Sequence, residues 1–88
     1  MKRASIAKQK EQLLEILHHK TGIEQAKLID SASLHKDLSI DSLDLMEILL
    51  ETEKAFQIKI EDEDAEKLET IGDICSLVLN GGSVHQHH

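Results

Sequence analysis

From Leu43 to Phe56 apolar residues recur at three- and four-residue steps with no Gly or Pro among them, the pattern of an amphipathic helix. Asp41 stands where it can cap that helix, and Asp44 falls in the first turn, where the positive end of the helix favours a carboxylate. A helix is therefore predicted over 42–56, with Ser42 its first residue and its hydroxyl accessible. Leu45, Met46, Ile48, Leu49 and Phe56 make the core face. Leu43, Glu47 and Leu50, with Asp44 and Glu51 alongside, share a second face that mixes aliphatics with carboxylates. Because this face lies beside Ser42, it is read as a surface for docking a partner.

The same reasoning predicts a first helix from about Ser5 to His19, burying Ile6, Leu13, Leu14, Ile16 and Leu17 and ending at Thr21-Gly22. Residues 23–41 show no sustained period. They are read as a long ordered loop anchored by Ile23, Leu28, Ile29, Leu34 and Leu38, with a short helical turn at Glu24 to Lys27. Gln57 to Ile60 alternates like a strand but has no strand to pair with, so it is expected to be an extended connector. A short third helix is predicted over Asp62 to Leu68, with Ala65 and Leu68 turned inward. Thr70-Ile71-Gly72-Asp73 matches a capping box and opens a last helix, Ile71 to Leu79. The expected fold is all-α: a small bundle of three longer helices and one short helix, with a long loop between the first two. Residues 1–80 are expected to form one domain and residues 81–88 a flexible tail.

Composition narrows the function. The chain has 88 residues and a single aromatic, Phe56, so its core is built from Leu, Ile, Val, Met and Ala. The net charge of −7 argues against nucleic acid and anionic membranes as partners and favours basic proteins. The charge is unevenly distributed. Residues 1–36 carry seven bases and four acids, whereas residues 37–69 carry three bases and twelve acids, so the acidity gathers around Ser42. Cys75 lies in an apolar helix and reads as a core residue. No apolar run approaches membrane-span length and no signal-peptide pattern opens the chain, so a cytoplasmic monomer is expected.

Few residues offer chemistry. Ser42 lacks the Gly-x-Ser-x-Gly elbow of a hydrolase. Ser33-Leu34-His35-Lys36 fits a Ser-x-x-Lys word, but the motifs that accompany it in acyl-transfer enzymes are missing. The acidic run Glu61 to Asp64 lacks the Gly and the spaced final Glu of an EF-hand loop, and no metal site is expected. His18-His19 suits a helix C-terminus, and the His-containing tail carries no assigned site.

Asp41-Ser42-Leu43, preceded by Asp37-Leu38 and followed by the acidic helix to Glu53-Lys54-Ala55-Phe56, belongs to a longer pattern. It continues through Ile60-Glu61-Asp62-Glu63-Asp64-Ala65-Glu66-Lys67-Leu68 and Thr70-Ile71. Over most of the chain this pattern resembles the acyl carrier protein family. The resemblance implies a carrier rather than an enzyme. A phosphopantetheine arm, transferred from coenzyme A by a phosphopantetheinyl transferase (a holo carrier synthase), would be attached to Ser42, with Asp41 and Leu43 framing the site. Acyl groups would travel on it as thioesters, most directly in fatty-acid synthesis.

Carried over position by position, the resemblance assigns partner docking to Leu43, Asp44, Glu47, Leu50, Glu51, Glu53, Ile60 and Glu61. The partners would be acyltransferases and fatty-acid synthesis enzymes with basic patches. An acyl pocket is assigned to Met46, Leu49, Phe56, Ile60, Ala65, Leu68 and Ile71. The chain departs from the family where Ser39 replaces a usual Gly, Lys54 and Lys59 replace acids, Glu61 replaces Pro and Thr52 replaces an apolar core residue. These departures bear on partner preference and pocket depth. A specialised carrier of aminoacyl, polyketide or lipid A precursor groups is one alternative. An unmodified acidic helical adaptor is another.

Overall fold

The first helix, α1, runs Ile6–Thr21, two residues beyond the expected end. The reason is local: Thr21 Oγ1 donates to the Leu17 carbonyl at 2.7 Å and accepts the Ile23 amide at 3.1 Å, closing the last turn from both sides. Gly22, at φ 78°, then carries the chain out while its amide reaches the His18 carbonyl. Leu13 and Leu17 are fully buried, Leu14 and Ile16 half-buried. Ile6, expected in the buried stripe, is 67% exposed because it lies in the first turn, ahead of Leu13, the first position of α1 to reach the core. The fold is a computed structural model describing residues 6–83; Ser5 at the expected helix start and residues 84–88 of the expected tail lie outside the described residues.

The segment between α1 and the next helix is a structural layer in its own right. After a 3₁₀ turn at Gln25–Lys27, Leu28, Ala32, Leu34 and Ile40 plunge into the core. Ile29, expected to be an anchor, is instead 56% exposed, and Ile23 and Leu38 are half-buried. Loop carbonyls cap a distant helix: those of Ala32 and Asp30 accept the Ile71 and Gly72 amides at 3.1 and 2.9 Å, satisfying donors that a helix start leaves unpaired. A Cβ at Gly72 would sit 3.1 Å from the Asp30 oxygen, so a larger residue would push the loop away.

Helix α2 spans Ser42–Phe56, with Leu45, Ile48, Leu49 and Thr52 buried. Met46, placed on the core face by periodicity, is 46% exposed and borders a groove instead. Thr52 takes its apolar position by donating its hydroxyl to the Ile48 carbonyl at 2.8 Å, so no polar atom is stranded. Gln57 ends the helix in the left-handed region.

Helix α3 is a single turn, Asp62–Ala65, shorter than expected. Beyond Glu66, whose amide bonds back to Asp62, the amides of Lys67 and Leu68 bond to carbonyls three residues back. This tightens the chain and swings Leu68 inward. Helix α4, Ile71–Leu79, starts with the expected capping box: Thr70 Oγ1 accepts the Asp73 amide and Asp73 accepts the Thr70 amide. Ile71, Ile74, Cys75 and Val78 bury its inner face, and α1 packs against both α2 and α4.

Two expectations about pairing and order are corrected. Lys59 in the connector forms a parallel bridge with Gly82, so the connector does find a partner in the C-terminal segment. Gly82 and Ser83, assigned to the flexible tail, are fastened by backbone bonds to Leu77 and Lys59 at 2.8 and 2.7 Å. A short sequence alternation gives no sign that an isolated bridge will form from so distant a residue.

Candidate functional site

The approach to Ser42 is fixed by a chain of local bonds. Asp37 Oδ2 accepts the Ser33 amide at 2.8 Å and Ser33 Oγ accepts the Lys36 amide at 3.1 Å, which winds 33–38 into a compact turn. Ser33 is thus occupied in shaping a loop, the role its Ser-x-x-Lys word left over once catalysis was set aside. Ser39 reverses the chain at φ 55°, and Ile40, bonded to the Leu34 carbonyl at 2.7 Å, anchors it in the core. Asp41 follows in extended geometry and its Oδ1 accepts the Asp44 amide at 2.9 Å, so Asp41 is the N-cap that the sequence predicts.

Ser42 is therefore the first helical residue, exposed, and among the described residues no hydrogen bond engages its hydroxyl. The cap takes the Asp44 amide, and the Ser42 and Leu43 amides belong to the first turn of α2, whose donors have no carbonyl a turn earlier in the helix to bond to. A free hydroxyl at that end suits attachment of a phosphate-bearing group.

A groove of about 440 Å³ opens beside Ser42 between α2 and α3. Leu45, Met46, Leu49, Ala65 and Leu68 line it, with His35, Asp62 and Glu66 at its polar margin. Of the seven residues assigned to an acyl pocket, Met46, Leu49, Ala65 and Leu68 line this groove and the other three do not. Ile71 is fully buried under the loop, Ile60 is 8% exposed in the core, and Phe56 is half-buried at the far end of α2, away from this groove. Conversely, His35, Leu45, Asp62 and Glu66 border it without having been singled out. Nothing in local periodicity signals His35, which the turn at 33–38 brings to the groove.

The proposed docking face separates into two sets. Leu43 and Leu50 are 74% and 53% exposed, with Asp44 and Glu47 also exposed, so these four form one accessible face beside Ser42. Glu51 is exposed but borders a larger groove of about 610 Å³ between α1 and α2, lined by Glu15, Ile16 and His19 and lying away from Ser42. Glu53 turns inward, its Oε2 accepting the Ile60 amide at 2.6 Å. Ile60 is buried, apart from the exposed face of Leu43 and Leu50, and the amide of the half-buried Glu61 is held by Ser83. Helical spacing could not show that the connector folds back under these residues.

The chain matches the phosphopantetheine attachment site family over residues 11–78. It belongs to the acyl carrier protein family. The acyl carrier protein from Enterococcus faecalis is similar in structure, with a TM-score of 0.74 and 30% identity, over 90% of this chain and the whole of that one. Family membership makes phosphopantetheine the covalently attached prosthetic group of this acyl carrier. The residues around the start of α2 fit such a group: an exposed hydroxyl at the capped, positive end of the helix and an adjoining apolar groove. Among the described residues no helix is long and apolar enough to cross a membrane.

Proposed function

We propose that Ser42 carries the phosphopantetheine arm and that this cytoplasmic, monomeric acyl carrier delivers growing acyl chains to the enzymes of fatty-acid synthesis without catalysing a reaction itself. The observation that carries this reading is the exposed Ser42 hydroxyl, free of hydrogen bonds among the described residues, at the capped start of α2 and adjoining an apolar groove. In the loading step Ser42 Oγ attacks the pyrophosphate of coenzyme A. A new O–P bond forms, adenosine bisphosphate leaves, and the hydroxyl proton passes to a base of the phosphopantetheinyl transferase. When attached, the arm supplies a terminal thiol on which an acyl group rides as a thioester.

The residues around Ser42 divide the remaining work. Asp41 holds the helix start open, and its own charge together with that of Asp44 disfavours the phosphate, so both are better employed in attracting basic patches on partners. Leu43 and Leu50 add apolar contact, and Glu47 adds charge on the same face. Leu45, Met46, Leu49, Ala65 and Leu68 offer the acyl chain a surface out of water.

The deciding experiment is intact mass before and after incubation with coenzyme A, Mg²⁺ and a broad-specificity transferase, run beside Ser42→Ala. One phosphopantetheine gained by the natural chain and none by the variant is expected. Gain by both would move the site elsewhere. Acyl-loading enzymes of fatty-acid synthesis should then accept the loaded protein, and rejection by them in favour of an aminoacyl or polyketide enzyme would reassign the cargo.

A further inference from the structure

Helix α3 forms one wall of the groove, yet little of its own holds it there. It has four residues, none of them buried, and its N-cap Glu61 makes no side-chain cap bond. In a capping box the N3 side chain reaches back to the N-cap amide. Here the N3 residue is Asp64, and the Ser83 hydroxyl stands between the two groups. Ser83 Oγ accepts the Glu61 amide at 2.8 Å and donates to Asp64 Oδ2. The half of the box that α3 cannot close alone is completed by a residue 19 positions further along the chain.

The backbone around Ser83 is built to hold it in position. Its amide donates to the Lys59 carbonyl at 2.7 Å, and Gly82 is bonded to Leu77 at 2.8 Å. Gly82 lies at φ 86°, and a Cβ there would come within 2.5 Å of the Lys59 carbonyl oxygen, so the close approach of this strap to the connector requires glycine.

We propose that Ser83 is a positioning residue for the cargo groove: a C-terminal latch that completes the capping box of α3 and holds that wall of the groove in place. The groove's role in cargo binding rests on the carrier reading above; the latch itself does not. An acyl chain entering between α2 and α3 displaces the wall against this latch, so releasing Ser83 lowers the cost of entry.

Hydrogen exchange of the full, unloaded chain tests the latch. Loss of a charge-assisted bond should speed exchange of the Ala65 and Glu66 amides about tenfold in Ser83→Ala, with α1 and α4 unchanged. Ser83→Thr, which keeps the hydroxyl, should restore protection, and Gly82→Ala should release the same amides. Unchanged α3 exchange in Ser83→Ala, or a uniform rise across the bundle, would overturn the latch. In loaded protein bearing a medium-length acyl chain, Ser83→Ala should gain more in melting temperature on acylation than the natural chain, and an equal gain would overturn its control of the groove. Failure of Ser42 to load, with α3 exchange altered as expected, would count against the carrier reading and leave the latch standing.

Discussion

Glu53 Oε2 accepts the Ile60 amide at 2.6 Å, tying the last turn of α2 to the connector that leads into α3. The carboxylate satisfies a donor in a segment with no ladder of its own, and Ile60 is buried beside it. Glu53→Ala leaves that amide without its partner, at a cost of about 1–3 kcal/mol. Thermal unfolding should show a lower Tm for the alanine variant, while Glu53→Gln, which keeps an acceptor, should recover most of the loss. An alanine variant as stable as the natural chain would return Glu53 to the docking face.

Ser39 occupies a left-handed position at φ 55° immediately before the capped start of α2. A side chain there crowds the backbone, whereas glycine adopts this region freely. Ser39→Gly should therefore raise stability by about 1 kcal/mol in denaturant unfolding. Lower stability would mean that the entropy of the freer unfolded chain outweighs the relief of strain.

Cys75 links stability to pH. Burial pushes its thiol above the ordinary value of 9.0, outweighing the Lys10 ammonium, which pulls it down; Asp30 adds a smaller push upward. Because the folded thiol holds its proton more tightly than the unfolded one, the contribution to stability is fully present below about pH 8 and is lost as pH rises through 9 and toward the folded value. Unfolding followed from pH 7 to 10 should show this fall, and it should be smaller in Cys75→Ala after correction for the cavity. Alkylation of the native thiol at pH 8 should be slow and should accelerate in denaturant.

The face of Leu43, Asp44, Glu47 and Leu50 combines exposed aliphatics with exposed acids. Asp44→Asn and Glu47→Gln should weaken binding to a partner with a basic patch mainly through slower association, an effect that fades as salt rises. Leu50→Ala should weaken binding at every salt concentration. Association rates measured at low and high ionic strength separate the two contributions, and salt-insensitive affinity would make Leu43 and Leu50 the dominant contacts.

Local sequence determined the parts of this protein whose physics is local. The α2 start at Ser42, the Asp41 cap, the Gly22 exit from α1 and the Thr70–Asp73 capping box all depend on residues within a few positions of one another. The family resemblance was likewise legible, not in the word around Ser42 alone but in the pattern that runs from Asp37-Leu38 through the acidic helix to Thr70-Ile71. Helical periodicity also sorted Leu45, Ile48 and Leu49 inward and Leu43 and Leu50 outward, since a regular helix fixes the angle between its side chains.

Tertiary structure decided everything that depended on a second segment. Met46 and Ile48 differ little in hydrophobicity, but only Met46 faces the gap left by a one-turn α3, so one borders the groove and the other fills the core. Ile60 and Glu53 were drawn inward by a connector whose path follows from the Lys59–Gly82 bridge. Ser83 looked like part of a flexible tail because its two partners, Glu61 and Asp64, lie far back in the chain. Contacts between distant segments carry no period along the sequence; they arise only when the folded core brings the segments close enough for their hydrogen bonds to outweigh the entropy of ordering them.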